Sequence, residues 1–467
     1  MPWDPVGKAV RIPRRMLRTC YPLLAICVLT LAGSARAIGA QAKTVSSPSS
    51  GASAPGPTRQ AVLIAQPDPL HQQGQNVTIS LLTMGNGEQV WELFGHNALW
   101  IHDNVTNRDT VFNWGVFSFH QEHFIPHFLQ GRMLYSMGGN SMDDVMTAYR
   151  YWNRSVLSQE LDLTPAQKDS ILVTIQRNAL PENVNYRYDY YRDNCSTRVR
   201  DILDHALGGP LSVQAAGLTD ATYRWHSLRL MQGNMPIMLG VDIGLGRPSD
   251  VRLTKWEEMF LPRKLHDFIA KVHVLDANGA MKPLVKSERV LFQSTREPEP
   301  TAPPDLGLWL LFGGVIVAAV MTSLGFLATP LHPVIRFAAA VVGALWSLII
   351  GLLGTVVVLL WAVTDHVFAH SNENVLLFNP LWLGLAVLLP VYLWSGRGEA
   401  ATRRLASVIV VMALTALGMH VLGISRQINV PLIGLVLPPA LGVMAMTVRS
   451  RWAPIPRRVP PLIQPQA

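Results

Sequence analysis

Two hydrophobic patterns divide the chain near residue 300. In the first part, short stretches alternate apolar and polar residues or repeat apolar ones every three to four positions. Residues 77–82 alternate and predict a strand, closed by the turn Met84-Gly85-Asn86-Gly87. Residues 94–102 predict a second strand with His96 at its entrance. Residues 103–109 form a polar turn, and 110–114 the returning strand of a hairpin. Residues 117–133, rich in aromatics and histidine, predict a partly helical stretch. A helix over 141–152, a strand over 155–163 and a helix over 164–180, opened by Thr164-Pro165, follow. Val199, Ile202, Leu203, Ala206 and Leu207 share one helical face; Asp193 or Asn194 supplies the cap and Gly208-Gly209 the stop. Residues 256–269 read as a surface segment packing back on the domain, and 289–294 as its last strand. Mixed elements of this kind make an α+β domain.

Beyond the Pro-rich linker 297–305 the pattern becomes continuous. Residues 306–328, 337–361, 381–394 (approached by the apolar 375–378), 405–424 and 431–448 are apolar runs of membrane-spanning length. The third is interrupted by Pro390 and preceded by Pro380. Near the start, another apolar run, 21–32, stands behind Lys8, Arg11, Arg14, Arg15 and Arg18 and is followed by Ala35-Arg36-Ala37. This is the pattern of a secretory leader with its cleavage site. The division is therefore a signal peptide at 1–37, a flexible linker at 38–70 and an exported domain at 71–296. The linker 297–305, a five-span domain at 306–448 and a cytoplasmic basic tail at 449–467 complete it.

Charge supports this order. The chain has 39 basic and 31 acidic residues, a formal +8. Residues 1–18, 395–404 and 449–467 hold twelve of the basic residues and two of the acids, which leaves the remainder slightly acidic. No basic face is left to track nucleic-acid phosphates. With 297–305 outside, the inner segments carry Arg336, Arg397, Arg403, Arg404, Arg449, Arg451, Arg457 and Arg458, and the outer loops only Arg426. The positive-inside rule and the leader agree: the expected location is the bacterial inner membrane, with the first domain on the periplasmic side.

Of three cysteines, Cys20 and Cys27 belong to the leader, so Cys195 is left alone in an exported domain. It stands in the first turn of its helix, where unpaired N–H groups and the positive end of the dipole favour a thiolate. A thiol nucleophile needs a base, a group to fix that base, and donors for an oxyanion. His96, behind Gly95 and at the start of a strand, is the candidate base. The Cys195 N–H is a candidate oxyanion donor. Asn113 on the returning strand is the candidate third member, with His102 and Asp103 as rivals. His120, His123 and His127 share a helical face suited to Zn²⁺ but lack the His-Glu-x-x-His pattern and a fourth ligand. No phosphate-cradling Gly-rich loop follows a strand, and no metal or cofactor is expected. His366, Asp365 and His370 lie in the outer loop 364–380, which reads either as the border of a lipid-facing mouth or as a wet interfacial loop.

Phe94-Gly95-His96-Asn97-Ala98, Phe112-Asn113-Trp114-Gly115, Asp193-Asn194-Cys195-Ser196-Thr197-Arg198 and Glu258-Met259-Phe260-Leu261-Pro262 resemble, in this order, the exported domain of Lnb-type bacterial lipoprotein N-acyltransferases. The five spans, with His366, His370, Asn372, Asn374, Asn379 and Pro380 in their outer loop, are similar to that family's membrane region. The resemblance implies a circularly permuted, papain-like (NlpC-type) fold ahead of a five-helix transmembrane bundle. It also implies Cys195 as acyl-accepting nucleophile, His96 as its base, and phospholipid and lipoprotein substrates. Asn194, Arg198, His366 and His370 are the candidate substrate-binding residues. Two other readings share these residues. One is a periplasmic cell-wall peptidase or amidase with the same dyad; the other is a non-enzymatic envelope sensor or scaffold in which Cys195 is merely packed.

Overall fold

The computed structural model describes residues 73–117, 124–276, 279–328 and 333–449. The expected leader, the linker up to residue 70, and His120 and His123 lie outside these residues, as does the tail after Arg449. Among the described residues, seven antiparallel strands form one sheet in the order β7-β5-β1-β2-β3-β4-β6. They are β1 Val77–Met84, β2 His96–Asp103, β3 Arg108–Val116, β4 Leu134–Asn140, β5 Val156–Leu161, β6 Asn185–Arg187 and β7 Val285–Phe292. Register places Met84 opposite His96 and Ala98 opposite Asn113, so the entrance of β2 and the exit of β3 share one end of the sheet.

Helices cover both faces, which is why β1 is buried almost throughout, its polar Ser80 and Thr83 included. Ile79, Leu81, Leu99, Ile101 and Trp114 pack with residues of α3 (Pro165–Ala179), α4 (Cys195–Leu207) and α7 (Pro262–Ile269). Leu82, Met84, Ala98 and Val111 pack with Val145 of α2 (Met142–Tyr151). A short helix, α1 (Phe124–Gln130), precedes β4, and α5 (Tyr223–Met231) and α6 (Met235–Gly244) follow α4. The segment read as surface is core instead. Phe260 and Leu261 are about 1% exposed and Leu265 and Ile269 fully buried, between charged flanks that stay at the rim. The last strand begins earlier than expected, at Val285, and pairs with β5.

Five helices are long and apolar enough to cross a membrane among the described residues. They are α8 (Gly307–Leu327), α9 (Pro333–Val363), the span Glu373–Ser395 that contains α10 (Leu381–Ser395), α11 (Glu399–Val421) and α12 (Val430–Arg449). Pro390 is accommodated inside α10, and the apolar approach at 375–378 is a 3-10 turn, Glu373–Leu376. Close approach is built in: a Cβ on Gly354 of α9 would lie 2.2 Å from the Asn379 backbone nitrogen. The molecule is thus a sheet-rich domain followed by a five-helix apolar bundle.

Candidate active site

Cys195 opens α4, and Asn194 is its cap. The Asn194 Oδ1 accepts from Ser196 N–H at 2.9 Å and Thr197 N–H at 3.0 Å, while Nδ2 donates to the Tyr190 and Phe260 carbonyls at 2.9 and 3.0 Å. Thr197 closes the box by accepting from the Asn194 N–H at 2.8 Å. The C-terminal stop is Gly208 at φ 85°. Of the two caps the sequence allows, Asp193 is engaged elsewhere, where it holds Arg198 with an Nη2–Oδ2 distance of 2.7 Å.

His96 reaches the thiol from the start of β2. Gly95 before it turns with φ +79°, and a Cβ there would press on the Met84 carbonyl at 2.8 Å. This is the close approach that its position suggests. Asn113 pairs with Ala98, two residues along β2 from His96, and its Oδ1 is 3.0 Å from His96 Nε2. The Asn113 amide nitrogen donates to the Val111 carbonyl at 3.2 Å, so its oxygen is the acceptor for His96. That fixes the proton on Nε2 and leaves Nδ1 for the hydrogen bond to the Cys195 sulfur. Gly115, at φ +93°, makes room beside the nucleophile: a Cβ there would be 3.8 Å from that of Cys195.

The electrostatics of the pair follow from this geometry. Burial alone would push the Cys195 thiol up. The His96 imidazolium, its hydrogen bond, and backbone N–H groups of Asn97 and Ser196 outweigh burial and hold it below the ordinary thiol value. Burial likewise works against a charged His96, but the facing thiolate, with the hydrogen bonds from the sulfur and to Asn113, keeps the imidazole above its ordinary value. The two shifts favour a thiolate–imidazolium pair. The backbone N–H groups of Asn97 and Ser196 favour the anion, although the Ser196 N–H is also the donor to Asn194 Oδ1, and neither was singled out from the sequence.

The other candidates are dispersed. His102 and Asp103, at the far end of β2, are no rivals to Asn113, because His102 is bound to Asp109 at 2.9 Å and Asp103 caps the turn at Val105 and Thr106. The Asn194 amide is engaged by four hydrogen bonds within the protein. Arg198 is held by Asp193 and lies 3.8 Å over the Tyr186 ring, bracing the loop ahead of Cys195. Among the described residues no group of three His, Cys, Asp or Glu side chains could hold a metal.

The loop between α9 and α10 docks on the sheet domain. His366 Nδ1 meets the Tyr190 hydroxyl at 2.8 Å and its Nε2 the Phe128 carbonyl at 3.1 Å, whereas His370 turns back to the Thr364 carbonyl at 3.0 Å. Burial lowers the His366 imidazole below its ordinary value. Asp365 takes Arg132 and Arg187 at 2.8 and 3.0 Å. Phe368 inserts among Tyr191, Tyr223 and Phe260. Asn372 and Asn374 donate to the carbonyls of Asp242, Ile243 and Gly244 at the end of α6.

Comparison with known families gives one match. Residues 71–230 match the model of the Lnb N-terminal periplasmic domain. That stretch is similar to the Lnb periplasmic domain. The match spans the strand that bears His96, the hairpin with Asn113 and the helix opened by Cys195, and it supports an Lnb-type lipoprotein N-acyltransferase. With five membrane-length helices behind it, the whole fits an Lnb-type membrane protein with a periplasmic domain. No curated protein and no solved structure matches the chain significantly.

Proposed function

We propose that this Lnb-type protein is a membrane-bound thiol acyltransferase. It moves a fatty acyl chain from a phospholipid or lipoprotein ester to the N-terminal cysteine amine of a lipoprotein. The carrying observation is the buried Cys195 hydrogen-bonded to His96, which is itself fixed by Asn113. The Cys195 thiolate attacks the ester carbonyl, and the Cys195 N–H at the start of α4 is the candidate donor for the developing oxyanion. Collapse breaks the C–O bond, and the departing lysolipid alkoxide takes the proton from His96 Nδ1. The thioester remains on Cys195.

In the second half the amine attacks the thioester carbonyl, His96 accepts the proton the amine sheds, and the thiolate leaves. The dyad returns to its starting state. Asn113 keeps the imidazole in the tautomer that serves both steps. The five helices suit this chemistry: both substrates are confined to a bilayer, and holding the thiol beside it raises their effective concentration. By this reading the domain is a permuted papain-like catalytic unit.

The intermediate is the test. Intact mass spectrometry of the purified full chain incubated with phospholipid vesicles is expected to show one added acyl group, absent from Cys195→Ala. An unmodified wild-type protein refutes the reading.

A further inference from the structure

A carbonyl carried by Cys195 has to lie in space that adjoins the nucleophile, and Gly115 keeps such a space open. Gly115 has φ +93° and no side chain. The three atoms nearest to where its Cβ would be are Cys195 Cβ at 3.8 Å, Tyr188 Cε2 at 3.8 Å and Tyr135 Cδ1 at 4.0 Å. Which half of each ring borders the space sets where its hydroxyl goes. Cε2 is bonded to the phenolic carbon, so Tyr188 brings the hydroxyl half of its ring to the space. Cδ1 belongs to the half nearer the stem, so Tyr135 holds its hydroxyl farther off.

Tyr188 is held in place. Its N–H donates to the Met133 carbonyl at 3.1 Å, and its ring stacks on that of Tyr135 with centroids 4.0 Å apart and planes 19° from parallel. Among the described residues no hydrogen bond engages its hydroxyl. Burial, and after it the Cys195 thiolate, raise the phenol well above its ordinary value, so the group keeps its proton at neutral pH. The Tyr186 hydroxyl is also buried without a partner, but its ring lies under the Arg198 guanidinium at 3.8 Å and is not among the nearest neighbours of the Gly115 space. A protonated hydroxyl, fixed beside a nucleophile and engaged by no other group, is preorganised for charge that develops there.

We propose that Tyr188 is a further catalytic residue, whose hydroxyl donates to the oxyanion formed when Cys195 attacks a carbonyl, as the second donor beside the Cys195 N–H. The inference rests on the reading of Cys195 as an acyl-accepting thiol and adds the group that stabilises its tetrahedral intermediates. Attack of the thiolate on the ester and attack of the amine on the thioester place the negative charge on the same carbonyl oxygen, so one hydroxyl serves both halves. Tyr188 forms no covalent bond and keeps its proton throughout; the proton that moves is the one on His96.

The test compares two reactions of Cys195 in the full chain. One is acetylation by p-nitrophenyl acetate, which passes through an oxyanion and is read by the p-nitrophenolate burst and by one added acetyl group in the intact mass. The other is alkylation by iodoacetamide, a direct displacement that needs the thiolate and forms no oxyanion. Tyr188→Phe keeps the ring and its stack and removes only the hydroxyl. It is expected to slow acetylation roughly a hundredfold, the scale of one lost oxyanion donor, while alkylation keeps its wild-type rate. Tyr135→Phe is expected to leave both rates unchanged. Unchanged acetylation in Tyr188→Phe overturns the assignment. An equal fall in both reactions also overturns it, because the hydroxyl would then support the thiolate itself, and so does an equal loss of acetylation in Tyr135→Phe. A wild type that takes acetyl from the ester but no acyl group from phospholipid vesicles refutes the lipid substrate and leaves Tyr188 in its role. A wild type that alkylates yet takes no acetyl sinks both readings.

Discussion

Replacing His96 by Gln tests the electrostatic core of the site. Gln retains an amide that can donate to Asn113 Oδ1, so the hairpin contact at 3.0 Å is spared, but no charge remains opposite the sulfur. Cys195 then keeps its burial, which favours the neutral thiol, and the N–H groups of Asn97 and Ser196, which favour the anion. The largest opposing influence, the imidazolium, is gone, so its pKa moves from below the ordinary thiol value to that value or above. A thiol with a pKa near 8.5 is about 3% thiolate at pH 7. The wild-type site, held below that value, has a larger anion fraction, which His96→Gln lowers toward about 3%.

Iodoacetamide alkylation, followed by intact mass between pH 5 and 10, reads this directly, since Cys195 is the free thiol of the described domain. The wild-type rate is expected to rise with a midpoint below the ordinary thiol pKa, and the His96→Gln midpoint to lie well above the wild-type one. Acyl transfer has a second limb. The imidazole is raised above 6.5, so imidazolium persists above that pH and activity declines only as the pH rises through the shifted value. On the acid side activity falls as the pH drops through the lowered thiol pKa. Superimposable alkylation profiles for wild type and His96→Gln would refute the ion pair.

Asn194→Ala removes an N-cap and two donors to buried carbonyls, a loss of about 2–4 kcal/mol; thermal unfolding of the detergent-purified chain should show a clearly lowered midpoint, and an unchanged one would mean the cap carries no load. Arg224→Met strands the carboxylates of Asp242 and Asp250, both buried and bonded to that guanidinium at 2.6 and 2.7 Å. Loss of one member of such a cluster costs about 3–5 kcal/mol, so poor recovery of folded protein is expected, with partial recovery in Arg224→Met/Asp242→Asn/Asp250→Asn.

The parts read well from sequence are those whose signal is local. Helix α4 shows its periodicity, its cap and its glycine stop within one stretch, and the structure repeats all three. Asn113 could be placed because a hairpin's register is set over a few residues, although only the structure separates it from His102. Residues 210–255 gave no readable pattern, because the short helices there bury Arg224, Asp242 and Asp250 against one another. A buried ion cluster looks in sequence like a solvated face. Phe260 and Leu261 misled for the converse reason: charged neighbours at Glu257, Glu258, Arg263 and Lys264 disguise a buried pair. His366 and Tyr190 are 176 residues apart, and no periodicity links them.

The docking of the loop after α9 gives the membrane bundle a part in shaping the catalytic loop. Tyr191, four residues before Cys195, is gripped by Phe260 and Tyr223 of its own domain and by Phe368 of the loop, with centroids 4.5–5.2 Å apart. Tyr190 is tied to His366 of the same loop. The backbone that leads into the nucleophile thus has membrane-bundle residues among its packing partners. The last-turn carbonyls of α6, which lack helical partners, are taken by Asn372 and Asn374, and Gln427 and Asn429 bind those two amides from the next loop at 3.0 and 2.8 Å. Such buried amides are costly unless every group is paired, so the clasp favours one relative seating of sheet domain and bundle over others. On the acyl-transfer reading proposed above, the thiol meets lipid and needs a fixed height above the bilayer, and a misplacement of 1 Å is enough to cost a reaction roughly a hundredfold. A flexible tether alone would leave that height free; the Phe368 plug and the amide clasp set it.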